Sequence, residues 1–157
     1  MIELRRRAGA PVLRIGHRGA AALAPENTLR SLRAAVEAGV DFVELDAFDL
    51  ADGTLVLAHS NDLFEVSHGA ATGAVRARTL DELLELAPDL PTLDEALAFF
   101  AEQSSVGVHV DVKCEGREDA LAGTIRRHGL VERTLVSSFS ARSRSLIVQA
   151  KTAAPWA

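Results

Sequence analysis

The chain has little of what several functions need. It has no tyrosine, one tryptophan and six phenylalanines, so aromatic residues make up 4% of its 157 residues. That is too few for a row of base-stacking platforms. A formal net charge of −5 opposes binding to a polyanion, and no nucleic-acid partner is expected. One cysteine, Cys114, excludes an internal disulfide and fits a reducing compartment. No apolar run approaches the roughly 18 residues of a membrane span, so stable membrane insertion is not expected. Arg5-Arg6-Arg7 is not followed by an apolar stretch of signal-peptide length, and the cytoplasm is the expected location.

What is present fits one globular domain. Forty-eight per cent of the residues are apolar and 25% are charged, enough apolar surface for a real core. Val12 to Gly16 reads as a short strand. Asn27 is the expected N-cap of a helix carrying Leu29, Leu32 and Val36 at helical spacing, stopped by Gly39. Phe42 to Leu50 reads as a strand, Asp52-Gly53 as a turn, and Leu55 to Ala58 as a strand ended by His59. The intervening turn is too short for a crossover helix, so the βαβ alternation breaks here.

Ser60 to Arg78 is polar, lacks periodicity and reads as a long loop. Thr79-Leu80-Asp81-Glu82 and Thr92-Leu93-Asp94-Glu95 each match the capping-box pattern, the second opening a helix to about Glu102. Val106 to Val112 reads as a strand, Glu118 to His128 as a helix and Leu135 to Ser138 as a strand. After Ser140 the pattern weakens, with Leu146 and Ile147 on at most one further helix. Alternating strands and helices predict an α/β fold with a parallel sheet. Functional residues in such folds gather at the C-terminal ends of strands.

Charged residues at those ends suggest phosphodiester hydrolysis. Such a reaction needs a deprotonated nucleophile, a protonated leaving group and positive charge against the phosphoryl oxygens. His17 and His59 each end a strand, and imidazoles titrate near working pH. A single histidine is more often structural; two of them flanking an acidic strand favour function. His68, His109 and His128 lack that setting and read as structural. Glu44 and Asp46 lie two apart on one face of an otherwise apolar strand, and Asp111 repeats the feature. Strands of a parallel sheet are usually covered on both faces, so these carboxylates need a cation or protons between them. Three oxygen ligands suit Ca²⁺ or Mg²⁺ and do not suit zinc. Arg18 is a bidentate phosphate-clamp candidate. Two readings stand for Lys113, a phosphate or cluster contact and a structural ion pair. Two also stand for Glu26, a helix cap and a brace for Arg18.

Gly16-His17-Arg18-Gly19, Pro25-Glu26-Asn27-Thr28, Glu44-Leu45-Asp46 and the strand-terminal His59 together resemble the glycerophosphodiester phosphodiesterase family, from about Leu13 to Phe139. The resemblance implies a (β/α)₈ barrel, with about the first five strands visible here. It implies His17 and His59 as the acid/base pair, Glu44, Asp46 and Asp111 as metal ligands, and Arg18 and Lys113 at the substrate phosphate. Ser138-Phe139 matches the end of the family's fifth strand. The implied reaction is metal-dependent hydrolysis of a small glycerophosphodiester to glycerol 3-phosphate and an alcohol. A lysophospholipase-type substrate is the nearest enzymatic alternative, and a catalytically silent fragment that binds metal or phosphate is the alternative of another class.

The chain departs from the family pattern at three places. Ser60 stands where the family has Asp after the second histidine. Asp111-Val112-Lys113 stands for Glu-x-Lys, one methylene shorter. No further strand is visible after Phe139. Residues 1–157 are therefore expected to form one family-like domain, the N-terminal part of a barrel, with an atypical tail at 141–157. A truncation or frame change shortly after Phe139 is the expectation, and with it self-association through the open edges of the first and fifth strands.

Overall fold

Five segments pair as strands: Ile15–Gly16 (β1), Phe42–Asp49 (β2), Leu55–Leu57 (β3), Gly107–Val112 (β4) and Thr134–Ser138 (β5). They belong to a computed structural model that describes residues 12–140 and 142–143. The helices are Leu29–Glu37 (α1), Leu63–Val66 (α2), Leu80–Leu86 (α3), Leu93–Ala101 (α4) and Glu118–Arg127 (α5), with 3₁₀ turns at Val75–Ala77 and Val131–Arg133. No described helix is long and apolar enough to cross a membrane. Leu146 and Ile147, like most of the 141–157 tail, lie outside the described residues.

The sheet runs β1-β2-β4-β5, all parallel, while β3 folds back antiparallel on the far half of β2. The break in βαβ alternation is thus a hairpin arm. All eight residues of β2 are buried, as expected of a strand covered on both faces. One face carries Val43, Leu45 and Ala47 of β2 and Val108, Val110 and Val112 of β4. These pack with Leu32 and Ala35 of α1, Leu97 and Phe100 of α4, and Leu121 and Ile125 of α5. A smaller cluster joins Phe48 and Val56 to Leu63 of α2 and Leu83 of α3.

The register sets the opposite face. In parallel strands, directly paired residues point the same way. Glu44 pairs with His109 and Asp46 with Asp111; Asp111 pairs in turn with Ser137. A polar row therefore crosses three strands on the face opposite the larger core.

Local signals govern most helix starts. Thr79 and Thr92 both form complete capping boxes, with Glu82 and Glu95 as the returning carboxylates. Each cap contributes about 1 kcal/mol. Gly39, at φ 73°, follows the last turn of α1 in the left-handed conformation that glycine adopts freely.

Three sequence expectations change. The N-cap of α1 is Thr28, whose hydroxyl accepts from the Ser31 amide; Asn27 sits at φ 55° and turns its amide into the sheet. The first strand shortens to Ile15–Gly16, because pairing with β2 exists only at Ile15↔Phe42 and Gly16↔Val43. The Ser60 to Arg78 segment contains α2 and a 3₁₀ turn. Asp62 starts α2 by accepting from the Phe64 amide, and a helix of four residues is too short to show periodicity in sequence.

Candidate active site

The turn after β1 is built around Glu44. The amide of Arg18 donates to Glu44 Oε2 at 2.7 Å, and the amide of Gly19 donates to the Glu44 carbonyl at 3.0 Å. Gly19 has φ 84°, and a Cβ there would lie 2.3 Å from Ser31 Oγ, so only glycine lets the turn close on α1. The Ser31 hydroxyl completes the closure by donating to the Arg18 carbonyl at 2.8 Å. This geometry sets His17 Nε2 4.0 Å from Glu44 Oε2, with the imidazole 72% exposed.

Glu44, Asp46 and Asp111 converge, with one ligand oxygen from each lying within 4.8 Å of the others. The shorter Asp111 side chain therefore still reaches the cluster. Asp46 is the most enclosed of the three. It accepts from Asn27 Nδ2 at 2.9 Å, and its own amide donates to Asn27 Oδ1 at 3.2 Å. Lys113 Nζ lies 3.1 Å from Asp46 Oδ1. Ser137 Oγ donates to Asp111 Oδ1 at 2.7 Å. That uses its one proton, so His109 Nε2, 2.8 Å away, is the donor to Ser137.

Arg18 crosses from the first turn to β2 and α2. Its Nη1 donates to Glu26 Oε1 at 2.8 Å and to Glu65 Oε1 at 3.2 Å. Its Nε is 3.2 Å from Asp46 Oδ2 but has no hydrogen-bond partner, so that contact is electrostatic. Glu26 thus braces Arg18 and does not cap α1. His59 Nδ1 is 2.9 Å from Glu65 Oε1, and Ser60 Oγ donates to Glu65 Oε2 at 2.5 Å. His59, Lys113, Ser138 and Phe139 line one open cleft of about 320 Å³. Phe139, 90% exposed, holds its ring centroid 5.4 Å from Lys113 Nζ.

The titrations follow these contacts. Burial pushes the Glu44 carboxyl above the usual range, against the stabilising Arg18 amide. Burial also disfavours charged Lys113, but hydrogen bonds to Asp111 and Asp46 outweigh it and hold the ammonium above its usual pKa. Burial of Arg18 is likewise outweighed by Glu26, Asp46 and Glu65, so it stays cationic. Cys114, next to this site, is pushed up to about 11 by burial and is a thiol at neutral pH.

Every residue singled out in sequence lies in this region except His128; His68 lines a small cavity with His59. His128 bonds Asp94 at 2.9 Å. Sequence reading took Asn27 for a helix cap and His109 for a structural residue, and did not single out Glu65 or Ser137. The alternation His109-Val110-Asp111 was a usable signal for His109, and Ser137 had the matching parity on β5. Glu65 had none.

A sequence model of the glycerophosphoryl diester phosphodiesterase family matches residues 17–156. The chain belongs to that family. It is 30% identical over 142 residues to the glycerophosphodiester phosphodiesterase of Caldanaerobacter subterraneus, covering 80% of this chain and 57% of that one. The fold is similar to that of the glycerophosphodiester phosphodiesterase from Agrobacterium tumefaciens, at TM-score 0.74 and 27% identity, over 88% of this chain and 63% of that one. It is also similar to an Oleispira antarctica phosphodiesterase solved in complex with the product sn-glycerol-3-phosphate, at TM-score 0.69 and 28% identity, over 88% and 62% of the two chains. The chain thus spans about three fifths of the length of these family members. Its fold is of the (β/α)₈ barrel type, and the described residues form part of such a barrel: four parallel strands, with β3 paired antiparallel to β2.

Proposed function

We propose that this site is a metal-dependent phosphodiesterase centre that hydrolyses glycerophosphodiesters to glycerol 3-phosphate and an alcohol. The observation that carries the reading is the convergence of Glu44, Asp46 and Asp111 within 4.8 Å, beside His17 and two enclosed cations. The three residues fit a hard divalent cation, Ca²⁺ or Mg²⁺. Every donor is a carboxylate oxygen, and three carboxylates this close repel one another unless positive charge lies among them, a part that Arg18 and Lys113 take here. When bound, the metal would offset charge on the phosphoryl oxygens.

In this reading His17 and His59 are the acid/base pair. One imidazole takes a proton from the attacking water as its oxygen bonds to phosphorus, and the other gives a proton to the oxygen of the departing alcohol as the P–O bond breaks. Arg18 and Lys113 are the phosphate contacts. Arg18 is pre-oriented by Glu26 and Glu65, which lowers the entropy of gripping an anion. Lys113 sits between the acidic cluster and the open cleft. The product held by the Oleispira antarctica relative supports a small phosphodiester as substrate. The cytoplasm belongs to the same reading, and the buried Cys114 thiol is in keeping with it.

A second reading is metal or phosphate binding without turnover. The 72% exposure of His17 favours it, because its Glu44 contact, at 4.0 Å, is too long for a hydrogen bond to hold the ring. The deciding experiment follows release of glycerol 3-phosphate by the purified chain with Ca²⁺ or Mg²⁺ and with chelator. Turnover that chelation abolishes and metal restores bears out the first reading. Calorimetric Ca²⁺ binding with no turnover selects the second, and full activity after exhaustive chelation sinks the metal assignment. Cleavage of a lysophospholipid in preference to a glycerophosphodiester would move the substrate class.

A further inference from the structure

We infer that Glu65 is a positioning residue for His59, fixing its imidazole as the Nδ1–H tautomer so that Nε2 carries the lone pair for proton transfer; the inference rests on the diesterase reading above. Glu65 receives three contacts. Oε1 is 2.9 Å from His59 Nδ1 and 3.2 Å from Arg18 Nη1. Oε2 is 2.5 Å from Ser60 Oγ. Arginine can only donate, and the Ser60 hydroxyl donates here. A carboxylate held by such donors is an acceptor, so the His59 nitrogen facing it carries the proton.

The carboxylate is also well anchored. α2 begins at the Asp62 cap, and its first residue, Leu63, is fully buried among Phe48, Val56 and Leu83. The Leu63 amide donates to the Gly73 carbonyl at 2.9 Å, which ties α2 to the segment that follows it. Arg18 then joins Glu65 to the acidic cluster, 3.2 Å from Asp46 Oδ2. Orientation of His59 is thereby coupled to the first turn of the fold. No sequence motif marks this arrangement; it exists because the antiparallel β3 carries the chain back along β2 before α2 begins.

The groups facing His59 are Glu65 from α2, with Arg18 behind it. Glu26 and His68 line a small cavity with the ring, and Lys113 and Glu115 line the cleft with it. All but Glu65 are unchanged in the variants that follow, so a difference between them reports on Glu65.

The experiment is ¹⁵N NMR of the His59 ring in the full chain, from about pH 5 to pH 8, for the natural protein and for Glu65→Ala and Glu65→Gln. The natural protein should show Nδ1–H in its neutral form. Glu65→Ala should move the proton to Nε2, because the acceptor that faces Nδ1 is gone. Glu65→Gln keeps an acceptor oxygen and the volume of the side chain. It should retain the tautomer and keep the fold even where the alanine variant does not. In turnover assays the alanine variant should lose on the order of 10–100-fold in kcat, the usual cost of removing the partner that orients a working histidine. Nε2–H in the natural protein overturns the inference, as does an unchanged tautomer in Glu65→Ala. A Glu65-dependent tautomer in a chain that hydrolyses no phosphodiester upholds the Glu65–His59 coupling and overturns the diesterase reading instead.

Discussion

Lys113 Nζ lies 2.5 Å from Asp111 Oδ2, pairing an ammonium with a carboxylate two residues earlier on the same strand end. The same nitrogen reaches Asp46 on the neighbouring strand at 3.1 Å. Burial alone would raise the Asp111 pKa, but the hydrogen bonds from Lys113 and Ser137 outweigh it and hold the carboxyl below its usual range. These distances suit both sequence readings of Lys113, a contact with the acidic cluster and a structural ion pair.

Lys113→Met should therefore destabilise the metal-free protein. Breaking a buried pair costs roughly 3–5 kcal/mol; with the lysine side chain 13% exposed, a loss of about 2–3 kcal/mol is expected. Added Ca²⁺ should narrow the gap in Tm, because the metal would supply the missing charge. Equal gaps with chelator and with Ca²⁺, measured by thermal unfolding, would show that no cation enters the cluster.

His17→Ala and His59→Ala should each lower turnover by about 10²–10⁴-fold while circular dichroism shows the fold retained. His68→Ala should do far less, since His68 lines only the small cavity beneath His59. Equal losses at all three positions would contradict the role assignment.

Gly19→Ala should cost at least about 2 kcal/mol, from left-handed strain and overpacking together. The new Cβ would meet Ser31 Oγ at 2.3 Å and the Ser31 carbonyl carbon at 2.5 Å, and neither the backbone nor the bonded hydroxyl yields cheaply. Denaturant midpoints measure the loss. A variant as stable as the natural protein would mean that the turn holding His17 and Arg18 is looser than described.

Asp94 gives a pH-dependent prediction away from the site. Hydrogen bonds from Arg127 and His128 hold its carboxyl below the usual range. Its folded pKa is thus below the unfolded value near 3.9. The stabilisation is complete above that value and disappears as pH falls through the lowered folded pKa. With Asp94 56% exposed, the effect should stay below about 1 kcal/mol. Asp94→Asn should melt slightly lower than the natural protein at pH 7, and the two should coincide in strong acid. A difference that grows on acidification would reverse the assigned sign.

Self-association is the last expected outcome. Among the described residues β1 and β5 each pair with one neighbour only, and Ile15 on β1 is 51% exposed. Unpaired strand edges invite pairing with another chain. Sedimentation velocity should show concentration-dependent association; a strictly monomeric chain with a cooperative melt would show that these edges are protected.

The sequence alone was enough for features whose cause is local. Capping boxes at Thr79 and Thr92 act within one helical turn. The alternation of strand side chains placed Glu44 and Asp46 on one face without any tertiary information, and the same rule put Lys113 beside Asp111. Other features depend on which distant segments meet. Asn27 has the composition of an N-cap, but the β2 face lies beside it, and its amide satisfies Asp46 across 19 positions while Thr28 takes the cap. Sheet register, and not chain order, set Asp46 opposite Asp111 and Ser137 opposite Asp111 across 26 positions. Glu65 met Arg18 across 47 positions because a hairpin and a four-residue helix turned it inward, and neither has a periodic pattern to read. Local propensity reaches about one turn along the chain; the partners of a buried charge are chosen by packing, and packing exists only once the sheet has formed.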